Sequence, residues 1–267
     1  MRLPLLHIPD GFINLPVSLI FIALSALGVL ACLSGARAQL DDKTAPLAGL
    51  VTVFIFAVQM INFPVAAGTS GHLLGGVLAA VLVGPYAATL SITIVLILQA
   101  LLFADGGITA VGLNLFNLSF VGVWGGYAIF VLARKFLPKK KSSIPAASLV
   151  AAFVQVPLAA LGFVFQYAIG AESTIPVTTV ATAMISTHIL IGIGEALITA
   201  LTVSAVLASR SDLVFGHSHC LLLASSLSTH PRIQMDWRKL QKQKDFSIPP
   251  RIPSTQDLHS LITASQV

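Results

Sequence analysis

Gly68-Thr-Ser-Gly-His-Leu-Leu-Gly-Gly76 places one histidine, His72, in a run of small residues where a long apolar segment ends and a shorter one begins. Small residues let backbone and side chain approach a compact ligand, and a neutral imidazole is the commonest metal ligand that a protein offers. The stretch therefore suggests an ion site. The alternative is a bend between two packed helices in which the histidine is incidental.

The composition around this stretch is that of an integral membrane protein. Of the 267 residues, 56% are hydrophobic and 9% are charged, and the mean hydropathy is +0.91. No water-soluble fold covers that much apolar surface. The net charge of +5 comes from loops and a basic C-terminal tail, and it gives no reason to expect a nucleic-acid partner. Cys32 and Cys220 have no CxxC spacing and predict neither a disulfide framework nor a thiolate metal site.

Seven apolar segments predict an all-α membrane protein with about seven transmembrane helices, of which the third is short. Residues 72–85 hold only about 12 apolar residues, whereas a spanning helix needs about 20, so this span requires tilt or a thinned bilayer. The predicted spans are residues 15–34, 46–63, 72–85, 86–103, 111–132, 146–169 and 178–207.

The basic residues predict the orientation of this bundle, because Lys and Arg concentrate in short cytoplasmic loops. With the N-terminus outside and seven crossings, Arg37, Arg210 and the basic run at 134–141 all fall on the cytoplasmic side, as does the C-terminus. If the third segment did not cross, the basic run would lie outside, opposite Arg37. The predicted orientation puts four polar residues on the external face: His7, His72, Asp105 and Glu172.

The chain divides into three predicted regions. Residues 1–5 lack the apolar core and cleavage site of a signal peptide, and we expect them to be a leader that is not part of the native chain. Residues 6–216 form a transmembrane metal-binding domain. Residues 217–267 have little periodicity and predict a disordered cytoplasmic tail.

His7 and His72 are the candidate metal ligands, since nitrogen donors suit nickel, cobalt and copper. A histidine at the second position of a chain combines its imidazole with its own backbone nitrogen and the terminal amine. One further imidazole then completes a square-planar nitrogen set, which is typical of Ni(II) or Cu(II). His7 holds the second position only if translation starts at Leu6, which a leucine codon of the UUG or CUG type allows in bacteria. We therefore expect position 6 to supply the amine.

Other polar residues are candidates for supporting roles. Asp10 and Asp105 can join the metal directly or fix the imidazole tautomers, and Asn62 is the amide best suited to the second role. His188 and Glu195 lie seven residues apart on one predicted helix, hence on nearly the same face. Ionisable residues inside a membrane mark functional sites, unless they bond neighbouring helices as a structural pair. Both interpretations of this pair stay open.

Enzyme signatures are missing, with no HExxH, no GxSxG and no glycine-rich nucleotide loop in the chain. Active transport would therefore draw its energy from another subunit or from an ion gradient. An intramembrane metalloenzyme that uses His72, His188 and Glu195 is a rival interpretation. His188, however, lies about 15 Å into its predicted helix, whereas His72 lies at the bend. A metal sensor or a structural membrane scaffold is a third class.

Four ordered motifs resemble the CbiM/NikM family, the substrate-binding membrane components of cobalt and nickel energy-coupling factor (ECF) transporters. The resemblance covers about residues 6–216. The motifs are HIPDGF at 7–12, NFPVAAGTSGHLLGG at 62–76, LLFADGGITAVGLNLFN at 101–117 and HILIGIGEALIT at 188–199.

The resemblance implies a helical membrane subunit that is not an enzyme and that binds Co(II) or Ni(II) near the external surface, with no organic cofactor. The implied ligands are the amine at position 6, the backbone nitrogen and imidazole of His7, and the imidazole of His72. The implied partners are a transmembrane coupling subunit, paired cytoplasmic ATPase subunits and often a small accessory membrane subunit. Cobalt and nickel members share these ligands, so the metal stays open, although the HIPDGF and GTSGH blocks favour cobalt.

Overall fold

The computed structural model describes residues 7–40, 42, 44–60, 63–66 and 69–216. These residues form seven helices, with a two-stranded antiparallel hairpin between the second and third. The helices are α1 (Leu15–Gln39), α2 (Thr44–Gln59), α3 (Gly76–Val83), α4 (Pro85–Leu102), α5 (Val111–Phe136), α6 (Ser143–Gly170) and α7 (Val177–Ser209). The strands are β1 (Phe63–Ala66) and β2 (Thr69–Gly71).

Helix boundaries follow the punctuation in the sequence. Asn14 caps α1, because its side chain accepts a hydrogen bond from the backbone N–H of Val17 at 3.0 Å, and Pro16 stands in the first turn, where no donor is needed. Gly84, at φ +87°, ends α3, and Pro85 begins α4 directly after it. The chain therefore turns a corner between α3 and α4.

Five of the described helices are long and apolar enough to cross a membrane, namely α1, α4, α5, α6 and α7. Large hydrophobic side chains cover their outward faces. Leu27 of α1 and Leu201 of α7, for example, are 65% and 70% exposed. Lipid tails match such faces, and each helix satisfies its own backbone hydrogen bonds. The protein is a multi-pass membrane protein.

Helix α3 lies in the middle of the bundle. All eight of its residues are buried, as expected for a helix that is hydrophobic on every side. It contacts α2, α4, α5, α6 and α7. At about 1.5 Å per residue it is about 12 Å long, less than half of the about 30 Å of a hydrocarbon core. The predicted third span, residues 72–85, is thus helical only from Gly76 to Val83, with irregular backbone before it.

Helix α5 leaves regular α geometry in its middle. Phe116–Gly125 has π-helical hydrogen bonding between α-helical ends at Val111–Leu115 and Gly126–Phe136. A π-helical stretch shifts side chains out of the 3.6-residue register and is frequent at functional sites. Two residues of this stretch, Asn117 and Leu118, line a cavity in the bundle.

Within the described residues the all-α class is confirmed, and seven helices correspond to the seven predicted segments, five of them long and apolar enough to cross a membrane. The second segment, predicted as a span over 46–63, is helical only over Thr44–Gln59, and its crossing stays a prediction. The hairpin was not predicted, since the sequence indicated only a bend after residue 63. The crossing of the third segment and the orientation of the bundle stay predictions. Leu6, Asn62 and the predicted tail at 217–267 lie outside the described residues.

Gly75 precedes α3 in a left-handed conformation with φ +78°, and a Cβ built on it would lie 2.9 Å from Cγ1 of Ile55. We expect Gly75→Ala to lower the free energy of unfolding by about 1 to 2 kcal/mol, because alanine disfavours positive φ and its methyl group displaces Ile55. Thermal unfolding in detergent measures the loss. Gly49→Ala on α2 is the control, since its Cβ meets no heavy atom within 4 Å. Equal losses in the two variants would contradict the prediction.

Candidate metal centre

The N-terminal loop, residues 7–14, is fixed to the connections between α4 and α5 and between α6 and α7. The backbone N–H of Ile8 donates to Oδ1 of Asn114 at 3.1 Å, and the carbonyl of Ile8 accepts from the N–H of Gly107 at 2.9 Å. At the other end, the N–H of Asn14 donates to the carbonyl of Gly170 at 2.7 Å. Because irregular chain has no hydrogen-bond ladder of its own, these bonds determine where His7 lies.

Asp10 fastens the same loop through its carboxylate. Its Oδ1 accepts hydrogen bonds from the hydroxyl of Thr109 at 2.6 Å and from the backbone N–H of Thr109 at 2.7 Å. The hydroxyl bond, followed by the backbone bonds, holds the pKa of Asp10 below its usual value, although burial opposes the shift. A lowered pKa stabilises the folded loop above the ordinary carboxyl pKa, and this stabilisation is lost as the pH falls through the lowered value. Asp10 therefore positions the loop that carries His7.

His7 and His72 meet beneath this loop. Their ring centroids lie 4.8 Å apart with 48° between the ring planes, and the residues are only 7% and 8% exposed. Nδ1 of His7 lies 3.4 Å from Oδ2 of Asp105. Neither ring nitrogen of His7 has a hydrogen-bond partner in the described part of the chain. Buried ring nitrogens are normally satisfied, so Nε2 is a candidate for a further partner, while Nδ1 already faces the Asp105 carboxylate.

His72 presents one nitrogen to the space beside His7. Its Nδ1 lies 2.9 Å from the carbonyl oxygen of Leu73. With Nδ1 as the donor, the lone pair is on Nε2, which is how a backbone carbonyl orients metal-binding histidines in general. The backbone next to His72 thus sets both the tautomer and the direction of its ring.

The histidine segment, residues 72–75, has no secondary structure, and side chains from other helices satisfy its backbone. Glu195 of α7 accepts from the N–H of Leu74 at 2.8 Å and from the N–H of Gly75 at 2.7 Å. Gln59 of α2 donates to the carbonyl of Leu74 at 2.8 Å. Irregular backbone inside a membrane protein is tolerated only where such partners exist.

Gln155 of α6 links the same carboxylate to the start of α3. Its Oε1 accepts from the N–H of Val77 at 2.8 Å, and its Nε2 donates to Oε1 of Glu195 at 2.9 Å. Glu195, Gln155 and Gln59 are all buried, at 0% or 1% exposure. The three side chains form one polar cluster, the segment clamp, in an otherwise apolar core.

A cavity of about 250 Å³, the histidine cavity, lies between the N-terminal loop, the histidine segment and helices α5, α6 and α7. Polar and sulfur-bearing side chains form part of an otherwise apolar wall. These side chains are His7, His72, Asn114, Asn117, Met184 and His188.

The structure separates the predicted pair on α7. Nδ1 of His188 lies 2.7 Å from the carbonyl oxygen of Met184, and His188 lines the histidine cavity, whereas Glu195 belongs to the segment clamp. The depth argument that set His188 apart from His72 is wrong. The histidine segment reaches into the bundle as far as Glu195, about 27 Å along α7 from its first residue at about 1.5 Å per residue.

Of the other predicted site residues, Asp105 lies beside His7, while Asp10 bonds Thr109 rather than an imidazole. Among the described residues, no group of three or more His, Cys, Asp and Glu side chains is placed to hold a metal ion. Two imidazoles therefore need donors from elsewhere in the chain. Gln59 and Gln155 were missed by the sequence analysis, although a single amide within an apolar span is a detectable signal.

Comparisons with known proteins place this chain in one family. The chain matches the family model described as the cobalt uptake substrate-specific transmembrane region, CbiM, over residues 7–213. It therefore belongs to the CbiM family, and the resemblance predicted from its four motifs is confirmed.

Individual relatives have transport names. A protein of Haloquadratum walsbyi named as a metal transport protein is 39% identical over 79% of this chain and 94% of its own length. An Archaeoglobus fulgidus protein named as a fused nickel transport protein is 37% identical over 78% and 68% of the two chains. The cobalt transport protein CbiM of Sorangium cellulosum is 30% identical over 67% and 80%. A crystal structure of a transition metal transporter has a TM-score of 0.70 and 28% identity over 82% of this chain and 99% of its own.

We expect Glu195→Ala to loosen the histidine segment, because the N–H groups of Leu74 and Gly75 would lose a buried acceptor at a cost of about 3 kcal/mol in total. Hydrogen–deuterium exchange of a peptide covering residues 72–77, in detergent, measures the effect as faster exchange. Ser204→Ala is the control on the same helix, since its exposed hydroxyl bonds only the carbonyl of Ala200. Unchanged exchange in Glu195→Ala would show that the clamp does not hold the segment.

Proposed function

We propose that this protein is the substrate-specificity subunit of an ATP-driven importer of the ECF type and that it binds Co(II) or Ni(II) for uptake. One observation carries the proposal. Two buried imidazoles, His7 and His72, meet in a cavity of a chain whose relatives are named as cobalt and nickel transport proteins. The cation is the transported substrate.

The spacing of the two rings suits neighbouring positions around one cation. With metal–nitrogen bonds of about 2 Å, two imidazole centroids lie about 4.5 Å apart on adjacent corners of a square plane and about 6 Å apart on opposite corners. The centroids of His7 and His72 are 4.8 Å apart. Adjacent corners are what the proposed ligand set requires, because the imidazole, backbone nitrogen and amine of one chain end occupy three consecutive corners.

The remaining donors in this proposal are the amine at position 6 and the backbone nitrogen of His7. Nδ1 of His7 is the ring nitrogen that can close a chelate ring with the backbone nitrogen of the same residue, and Asp105 beside it is placed to join the cation directly. Asp10 acts at longer range by holding the loop. Asn62 stays a candidate for support of the site.

The bundle is proposed to lie with its N-terminus outside and its C-terminus in the cytoplasm, the third segment completing the crossing with α3. Under this orientation the histidine cavity opens towards the external face. The chain has no ATP-binding motif. We therefore assign the energy to cytoplasmic ATPase partners, joined through a membrane coupling subunit and aided by a small accessory membrane subunit. ATP hydrolysis there would reorient this subunit and expose its site to the cytoplasm.

The metalloenzyme alternative is less well supported by the geometry. Both carboxylate oxygens of Glu195 accept hydrogen bonds, one from Leu74 and the other from Gly75 and Gln155. A general base needs a carboxylate oxygen within reach of a substrate. Glu195 instead serves the backbone, so the set of His72, His188 and Glu195 lacks an available base.

Uptake of radiolabelled cobalt and nickel by cells that express the chain with its coupling and ATPase partners tests the proposal. We expect uptake to be lost when the ATPases are omitted and in His72→Ala, because that variant removes a first ligand of the cation. Ser186→Ala, an exposed position on α7, should transport normally. Metal binding without uptake in the complete assembly would favour a sensor.

Competition of Co(II) against Ni(II) on the purified protein identifies the metal. We propose cobalt, with nickel as the alternative.

The amine donor is tested separately by mass spectrometry of the native N-terminus. We expect the first peptide to begin at position 6, with His7 second, since only a free amine there can close the chelate rings. Recovery of a peptide that starts at Met1 would remove the amine from the ligand set. This outcome would not change the proposed ligand roles of His7 and His72 or the interpretation of the uptake assay.

A further inference from the structure

We propose that His188, Met184 and Asn117 form a second metal-binding position on the wall of the histidine cavity that α5 and α7 share. The inference rests on the proposed function, because it gives the cation a place to go after it leaves His7 and His72. All three residues line the same cavity as that pair.

His188 has the ring orientation that is typical of a metal-binding histidine. Its Nδ1 lies 2.7 Å from the carbonyl oxygen of Met184, one helical turn earlier. With Nδ1 as the donor, the lone pair is on Nε2, and this residue lines the cavity. The backbone of α7 therefore fixes the tautomer of His188, just as the carbonyl of Leu73 fixes that of His72.

Met184 adds a sulfur donor from the same helix. Residues four apart on a helix are neighbours on one face, and both Met184 and His188 line the cavity. Imidazole and thioether are both ligands of late transition metals. An apolar wall residue such as leucine would seal the cavity equally well, so the donor atoms are what distinguishes this face from the alanines of α6 opposite.

Asn117 contributes a buried oxygen from α5. The residue is 3% exposed, its Nδ2 donates to Oε1 of Gln166 at 2.8 Å, and its Oδ1 has no hydrogen-bond partner among the described residues. This oxygen lies against Gly162 of α6, where a Cβ would be 2.5 Å from it, so only a glycine accommodates the amide in this position. A buried amide oxygen without a partner is costly, which indicates that a water or a cation completes it.

These three donors favour weak, transient binding of a cation over tight binding. An imidazole, a thioether and an amide oxygen are three neutral and different donors, and they would hold a divalent cation more weakly than four nitrogens in a plane. A conducting pathway needs sites that bind well enough to admit an ion and weakly enough to release it. Met184 and His188 lie about 10 and 16 Å along α7 from its first residue, within the bundle.

Metal binding to the purified full-length chain tests the position without any transport. With Ni(II) alone as the probe, His7→Ala/His72→Ala, which removes both imidazoles of the first site, should retain a weaker binding event, and adding His188→Ala should abolish it. X-ray absorption of nickel on His7→Ala/His72→Ala should show a sulfur neighbour that disappears when Met184→Leu is added. Ser186→Ala in the same background is the control, because its hydroxyl is exposed and bonds its own helix.

Uptake in the complete transporter provides the second readout. We expect His188→Ala to reduce uptake about tenfold while the nickel affinity of the purified protein changes little, because the first site stays intact. His188→Gln, which keeps a donor for the Met184 carbonyl, should be equally impaired, and this outcome separates a ligand from a helix brace. No residual nickel binding in His7→Ala/His72→Ala, or residual binding that His188→Ala leaves unchanged, overturns the second position. If the wild-type protein shows no uptake, the importer proposal fails, and the nickel-binding measurements on the purified protein still test the second metal-binding position.

Discussion

The architecture depends on satisfying a few irregular peptide groups inside an apolar bundle. The N–H groups of Leu74 and Gly75 have no helix to bond with, and an unmet polar group in such surroundings costs several kcal/mol. A buried carboxylate, Glu195, meets both of them, and Gln155 and Gln59 complete the cluster. Burying a charge is itself unfavourable, so the clamp is worthwhile only because it allows a histidine to enter the bundle on non-helical chain.

Both histidines of the candidate centre consequently stand on irregular chain held by a rigid frame. His72 projects from the histidine segment and His7 from the N-terminal loop, whereas the helices supply the groups that hold these segments, such as Asn114 and Glu195. This division has a physical reason. A helix presents side chains at fixed intervals, while a free chain end offers backbone nitrogens as well as an imidazole. In the proposed ligand set, such an end contributes consecutive nitrogen donors to a planar site.

Much of the helical architecture could be predicted from the sequence, because long apolar runs and the Asn-Leu-Pro and Gly-Pro boundaries are local signals. The pairing of His7 with His72 was also accessible, through charge topology and motif resemblance together. The hydrogen-bond partners of Glu195 could not be predicted from the sequence. Its spacing from His188 suggested that the two side chains share one face of the helix. Whether the carboxylate contacts an imidazole or the backbone of residues 74–75 depends on how deeply the histidine segment enters the bundle. No local pattern encodes that depth.

The segment clamp also couples the site to the packing of the bundle. His72 keeps its position only while α2, α6 and α7 hold the backbone that follows it. His7 keeps its position only while Asn114 and the connections between α4 and α5 and between α6 and α7 hold the N-terminal loop. A relative shift of these helices would separate the two imidazoles before any helix unfolded.

Coupling of this kind is reciprocal. A cation that draws the imidazoles together must favour the helix arrangement that aligns them, and a partner that moves the helices must lower the affinity for the cation. In the proposed importer, release from His7 and His72 therefore needs no competing ion. Displacement of one helix against the clamp is sufficient, because the affinity resides in the alignment of two loops and not in any single helix.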